Sequence, residues 1–103
     1  MRKLTLLLVG LIIGSNVWAE IINGFEIEPI NCIAALSIGR DSAEIEGNNA
    51  LLRFLTDVQN NIYALLPDLP KYDLILSKKT AIIETWSGAF PTELVVACVA
   101  EYQ

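Results

Sequence analysis

The clearest hydrophobic pattern in the chain runs from Ala50 to Leu66, in the segment ALLRFLTDVQNNIYALL. Its apolar residues alternate in steps of four and three, which places them along one side of an α-helix. This stripe consists of Leu51, Leu55, Val58, Ile62 and Leu65, widened by Leu52, Phe54 and Leu66. The pattern therefore predicts a helix that buries a broad face. The amide of Asn48 or Asn49 would cap its start, and Pro67, which lacks a backbone N–H, would end it.

Start and stop signals predict a helix on either side of this segment. A short helix is expected from Pro29 to Gly39, because proline suits the first helical position and glycine suits the exit. Pro91-Thr92-Glu93 begins a last helix, which has an apolar side formed by Leu94, Val95, Cys98, Val99 and Tyr102. Between the first helix and the 50–66 helix, residues 40–49 are polar and are interpreted as a solvated loop. An alternative there is a capping arrangement for one helical turn.

Two segments are ambiguous between helix and strand. Residues 72–86 have Ile75, Ile82 and Trp86 at helical spacing, but their β-branched content also allows two strands. We favour a helix, since no Gly or Asn marks the turn that a two-residue hairpin requires. Near the start, Asn23-Gly24 suits a type I′ turn, but its flanking arms are short, so residues 20–27 are interpreted as an ordered or half-ordered arm.

The first nineteen residues have the three parts of a secretory signal. Arg2 and Lys3 are basic, residues 4–13 are mostly apolar, and Val17-Trp18-Ala19 matches a peptidase site. A membrane-spanning helix needs about 20 apolar residues, roughly twice this run. We therefore predict cleavage after Ala19 and a mature domain, residues 20–103, that is periplasmic or secreted and not inserted in the membrane.

The charge of the mature chain limits the class of partner. Residues 20–103 contain five basic and twelve acidic side chains, so their net charge is −7. Nucleic acids and anionic lipids are bound by clusters of Lys and Arg, which this chain lacks. The partners expected are other proteins, and a homodimer is consistent with the pattern.

Cys32 and Cys98 are the two cysteines of the chain. In an oxidising compartment they are expected to pair, because they lack the C-x-x-C spacing of a redox site. The predicted fold is therefore all-α, a small four-helix-type domain with one disulfide between its first and last helices. The alternative is an α+β domain with a hairpin at residues 72–86.

Catalytic chemistry is poorly represented. With no histidine, the chain has neither a Ser-His-Asp nor a Cys-His nucleophile, nor an ordinary zinc site. Glu26/Glu28 and Glu44/Glu46 are paired carboxylates, but they lie in predicted loops of a domain too small to enclose a substrate. We predict that the protein is not an enzyme and that it uses no metal or cofactor.

The cysteine-bearing helices resemble those of the HdeA/HdeB family of periplasmic acid-stress chaperones. The resemblance covers most of residues 28–103 and rests on Ile30-Asn31-Cys32 in the first helix and Leu94-Val95-Val96-Ala97-Cys98-Val99 in the last. It implies exposure of apolar surface in acid and the holding of unfolding client proteins. The charge pattern permits this independently, since protonating Asp and Glu shifts the mature net charge from −7 to about +6, counting the amino terminus. Such self-repulsion would loosen a dimer or the fold.

Two sets of residues are candidates for protein contact. The apolar set, which would bind clients or an exposed partner surface, is Leu51, Phe54, Leu55, Val58, Trp86 and Phe90. The acidic set, Asp41, Glu44 and Glu46, would suit the basic cleft of an enzyme through electrostatic steering. This second set supports an alternative hypothesis: a periplasmic immunity protein or inhibitor that neutralises one toxic enzyme. A structural accessory subunit with an exposed Trp86/Phe90 patch is a third.

Overall fold

A computed structural model describes residues 20–103, so the predicted signal segment, residues 1–19, lies outside the described residues. The chain begins with a hairpin of two short strands, β1 (Ile21–Ile22) and β2 (Phe25–Glu26). Four helices follow in this part of the chain: α1 (Pro29–Glu46), α2 (Asn49–Tyr63), α3 (Tyr72–Thr85) and α4 (Thr92–Tyr102). The predicted all-α, four-helix-type domain is confirmed.

Helix α1 is seven residues longer than the prediction, which ended it at Gly39 and made residues 40–49 a loop. That prediction was wrong: the helix continues to Glu46. Gly39 serves close packing instead, since a Cβ atom there would lie 2.9 Å from Leu55 Cδ1. The left-handed residue that ends the helix is Gly47, with φ 72°. A glycine is favoured there because other residues meet a steric penalty at positive φ.

The other three helices surround α1. Gln59 of α2 donates to the Ile33 carbonyl at 2.8 Å, Lys79 of α3 pairs with Asp41 at 3.0 Å, and Cys98 of α4 is bonded to Cys32. A helix enclosed on three sides needs apolar or small residues on each of those sides. Its sequence therefore does not show the single apolar stripe of a surface helix. The buried residues of α1 are Asn31, Cys32, Ile33, Ala34, Ala35, Leu36, Gly39 and Ala43.

Helix α2 is the predicted 50–66 helix, shortened at its end. Asn48 caps it as predicted, its side-chain oxygen accepting the Leu51 N–H at 3.1 Å. The helix ends at Tyr63, because Leu65 N–H already bonds to the Ile62 carbonyl, three residues back, in a tightened final turn before Pro67.

The buried face of α2 is narrower than predicted. It consists of Leu55, Val58, Gln59 and Ile62. Leu51, Phe54 and Leu65 of the predicted stripe are 38%, 42% and 64% exposed. The cause is that α2 packs beside α1 and α4 alone, which leaves its flanks open.

A polar network joins α1 to α2. Gln59 is 1% exposed, and besides the Ile33 carbonyl its amide donates to Ser37 Oγ at 2.9 Å. Arg40 donates to Gln59 Oε1 at 2.7 Å. Buried amides are tolerated when their hydrogen bonds are satisfied, and here those bonds fix the register of the two helices.

The ambiguous segments are resolved. Residues 72–85 are helical, so the hairpin alternative for 72–86 is wrong. The Asn23-Gly24 arm is a hairpin, with Ile22 paired to Phe25 and both turn residues at positive φ (50° and 88°). That is the backbone shape of a type I′ turn. The hairpin is attached to α1, because Asn31 donates to the Glu26 carbonyl at 3.0 Å.

The predicted disulfide, Cys32–Cys98, is present, with 5.4 Å between its Cα atoms. Both cysteines are fully buried. The bond joins the start of α1 to the second half of α4, so it ties together distant parts of the chain. No helix among the described residues is long and apolar enough to cross a membrane.

Replacing both cysteines, Cys32→Ala with Cys98→Ala, should lower the free energy of unfolding by roughly 4 kcal/mol, because the closed loop of about 67 residues no longer restricts the unfolded chain. Urea unfolding of mature protein, followed by far-ultraviolet circular dichroism, measures this loss. The wild-type protein unfolded in reductant is the control and should shift in the same direction. A change below about 1 kcal/mol in both would show that the bond contributes little to stability.

Candidate functional site

Six of the nine candidate residues are exposed in the described domain. They lie in the last two turns of α1, in the first turns of α2 and just before α4. With Ile45 they are named the α1–α2 corner, which consists of Asp41, Glu44, Ile45, Glu46, Leu51, Phe54 and Phe90. The corner therefore contains both apolar and acidic exposed groups.

The corner is built by a two-residue connection. Gly47 N–H bonds to the Glu44 carbonyl at 3.1 Å, and Asn48 N–H bonds to the Ala43 carbonyl at 2.8 Å. This pair of bonds is a Schellman motif, which satisfies the last carbonyls of α1. Asn48 then caps α2. Because the connection is so short, the last turn of α1 and the first turns of α2 are held side by side.

Phe90 reaches the corner from the segment before α4. Its ring lies 3.8 Å from the position that a Cβ of Gly39 would occupy, beside Leu55 and Val95. Leu51 and Phe54 precede Leu55 by four residues and one residue on α2. Phe90 remains 43% exposed, so the aromatic ring contributes both to the edge of the core and to the surface.

Ile45 is a corner residue that the sequence analysis missed. It is 86% exposed, the most exposed of the large apolar side chains in the described chain. It lies between Glu44 and Glu46 in the last turn of α1. An isoleucine within an otherwise polar stretch was the available signal, but interpretation of residues 40–49 as a loop left it without a structural context.

Two of the six apolar candidates belong to the core. Leu55 and Val58 are each 2% exposed and lie in the central hydrophobic cluster. In the native fold they are not available to a partner. They would become accessible if α2 separated from α1.

Trp86 packs against the N-terminal hairpin. It is half-buried at the end of α3, and its ring centre lies 6.0 Å from that of Phe25. Its indole N–H donates to a carboxylate oxygen of Glu93 at 3.4 Å. Trp86 is therefore less exposed than Phe90.

The acidic candidates differ in their partners. Asp41 pairs with Lys79, which neutralises its charge locally. Glu44 and Glu46 are exposed and have no ion-pair partner within the described residues. The acidic character of the corner therefore comes chiefly from these two glutamates.

The rest of residues 20–103 contains few groups that could bind a ligand. No group of acidic or cysteine residues there could hold a metal ion. A shallow open depression of about 590 Å³ lies on α3, but all its lining residues, Asp73, Leu76, Ser77, Thr80, Ala81 and Glu84, belong to one helix. The pKa of Tyr102 is raised by burial and by the nearby Glu101 and Glu28 carboxylates. Tyr102 lies at the end of α4, outside the corner.

Comparison with known proteins returns no match for this chain, whether against protein-family models, curated proteins or solved structures. The proposals below are therefore based on the exposed residues of the described domain.

Substitutions at two neighbouring residues of α2 should distinguish a surface side chain from a core side chain. Phe54→Ser should lower the free energy of unfolding by less than the neighbouring core substitution does, because the ring is 42% exposed and is not part of the central cluster. Leu55→Ala should lower it by about 2–5 kcal/mol, because it leaves a cavity. Urea unfolding of the two variants measures both. Equal losses would show that Phe54 is a core residue and unsuited to partner binding.

Proposed function

We propose that this chain is an exported protein that acts by protein–protein binding and holds unfolding proteins in acid. The observation that supports this best is that large apolar side chains are exposed on β1, on all four helices and on the connections of the described domain. They are Ile21, Ile45, Leu51, Phe54, Leu65, Leu69, Tyr72, Leu74, Leu76, Ile83, Phe90 and Val96, each at least 38% exposed. Apolar contact points on several elements would each hold a different segment of an unfolded chain.

Acid supplies a reason for the fold to expose more apolar surface. The mature chain changes from a net charge of −7 to about +6, counting the amino terminus, as its carboxyl groups are protonated. At about pH 2 the remaining charges are all positive and repel one another. Leu55 and Val58, buried at neutral pH, would then join the accessible apolar surface as the helices loosen. The disulfide would keep α1 and α4 connected throughout.

The mature protein, Glu20 to Gln103 with its disulfide intact, should suppress aggregation of a client at pH 2–3 and have little effect at pH 7. Light scattering of an aggregation-prone enzyme such as citrate synthase measures the suppression. Sedimentation of the protein alone at both pH values should show a looser species or a dissociated dimer in acid. A protein that leaves client scattering unchanged at pH 2–3 would contradict the proposal.

Variants of the corner test whether its apolar groups contact the client. Leu51→Ser combined with Phe54→Ser should weaken suppression at pH 2.5, because two exposed apolar side chains are lost. Glu44→Gln is a matched control on the same surface. Glutamine keeps the length and polarity of this exposed side chain and removes no apolar group, so the control should behave as wild type. Suppression unaffected by the double substitution would exclude these two side chains as client contacts.

A second candidate function is supported by the α1–α2 corner. Ile45 is 86% exposed, and its sequence neighbours Glu44 and Glu46 are exposed in the same helical turn, so an apolar group is available there together with acidic ones. Glutamates around an anchor favour encounter with a basic surface. We propose, as the alternative, that the corner binds and neutralises the basic cleft of a toxic enzyme, as an immunity protein or inhibitor does.

Affinity capture separates the two candidates. An inhibitor should retain one specific partner at neutral pH and lose it on Ile45→Asp, because a charge would replace the buried anchor. Val96→Asp is the control, since Val96 is also exposed (59%) but lies on α4. A partner retained equally by both variants would exclude the corner as its binding surface.

A further inference from the structure

Helix α3 is held in the domain less firmly than the other helices. It buries one residue, Ile82, whereas α2 and α4 each bury four and α1 buries eight. It packs chiefly against α1. Tyr72, Leu74, Leu76 and Ile83 of α3 remain between 44% and 75% exposed. Burial of apolar area is the main stabilising term, so the packing of α3 adds comparatively little to the stability of the domain.

The covalent and buried polar links of the domain bypass α3. The disulfide joins α1 to α4, and Gln59 joins α2 to α1. Asn61 of α2 donates to the Tyr102 carbonyl of α4 at 2.9 Å, which closes the triangle. The ion pair of Lys79 with Asp41 links α3 to α1, but the Asp41 side chain is 61% exposed. Exposed pairs of this kind contribute little because water and salt screen them.

The connections of α3 also allow it to separate. Residues 64–71 precede it and contain Pro67 and Pro70, and residues 86–91 follow it. In the second connector Ser87 and Gly88 are both left-handed, with φ of 52° and 83°. A serine in this region is under backbone strain. Helix α3 can therefore move away while the α1–α2 turn and the disulfide stay intact.

From these observations we infer that α3 opens as a separate unit while α1, α2 and α4 stay folded around the disulfide. Opening exposes Ile75 and Ile82 of α3. It also uncovers the side of α1 that carries Asp41, which Ala34 and Ile38 share because they precede Asp41 by seven and three residues. The opening of α3 does not depend on the proposed holding function. Only the binding of a client to the uncovered apolar surface rests on that function.

Hydrogen exchange detected by mass spectrometry tests the opening in mature, disulfide-bonded protein at neutral pH. Amides of α3 should exchange at least about tenfold faster than the slowest amides of α1, because they exchange through a local opening. Similar rates in the two helices would overturn the inference.

Two matched substitutions separate local from global opening. Ile62→Val weakens α2, which stays folded when α3 opens, so it should accelerate the slowest amides of α1, α2 and α4 by about two- to twelvefold and leave α3 unchanged. Ile82→Val weakens the docking of α3 and should accelerate α3 by a similar factor. If Ile62→Val accelerates α3 as much as the other helices, the domain unfolds as one unit and the inference is wrong. The exchange pattern tests the opening and client scattering tests the holding function, so either can fail alone.

Discussion

Every helix of the described domain depends on the enclosure of α1 on three sides. In so small a domain, one helix can be covered by three others only if it presents small side chains where they approach. Ala34, Ala35, Gly39 and Ala43 provide this, and all four are buried. At Gly39 the approach is closest, since no Cβ fits beside Leu55 without movement of that side chain. The disulfide then fixes α4 against the start of α1. It closes a long loop of the chain, which restricts the unfolded state.

The sequence was informative where a helix has one buried side and clear ends. Helix α2 was predicted from its stripe and its Asn48 cap, and α4 from Pro91 and its apolar side. The disulfide followed from compartment and spacing. These features are local, or depend on two residues, so they can be recognised without knowing the fold.

The errors arose where tertiary packing overrides local signals. Helix α1 lacks a 3.6-residue period because it is surrounded, and Gly39 looks like a helix exit although it is a packing contact. Ending the helix there made Asp41, Glu44 and Glu46 loop residues and hid Ile45. The width of the buried face of α2 was overestimated, since Leu51 and Phe54 satisfy the helical pattern but remain 38% and 42% exposed. The same two residues now form part of the exposed corner, so what the pattern could not predict is which apolar residues stay outside the core.

We propose that the apolar groups left outside the core, and the weakly held α3, serve the binding of other polypeptides. The most direct test of that claim is sedimentation velocity of the mature, disulfide-bonded protein mixed with acid-unfolded citrate synthase at pH 2.5. At pH 2.5 we expect a soluble complex that sediments faster than either protein alone and that is absent at pH 7. Two independent boundaries at pH 2.5, with the client pelleting as it does without the protein, would contradict it.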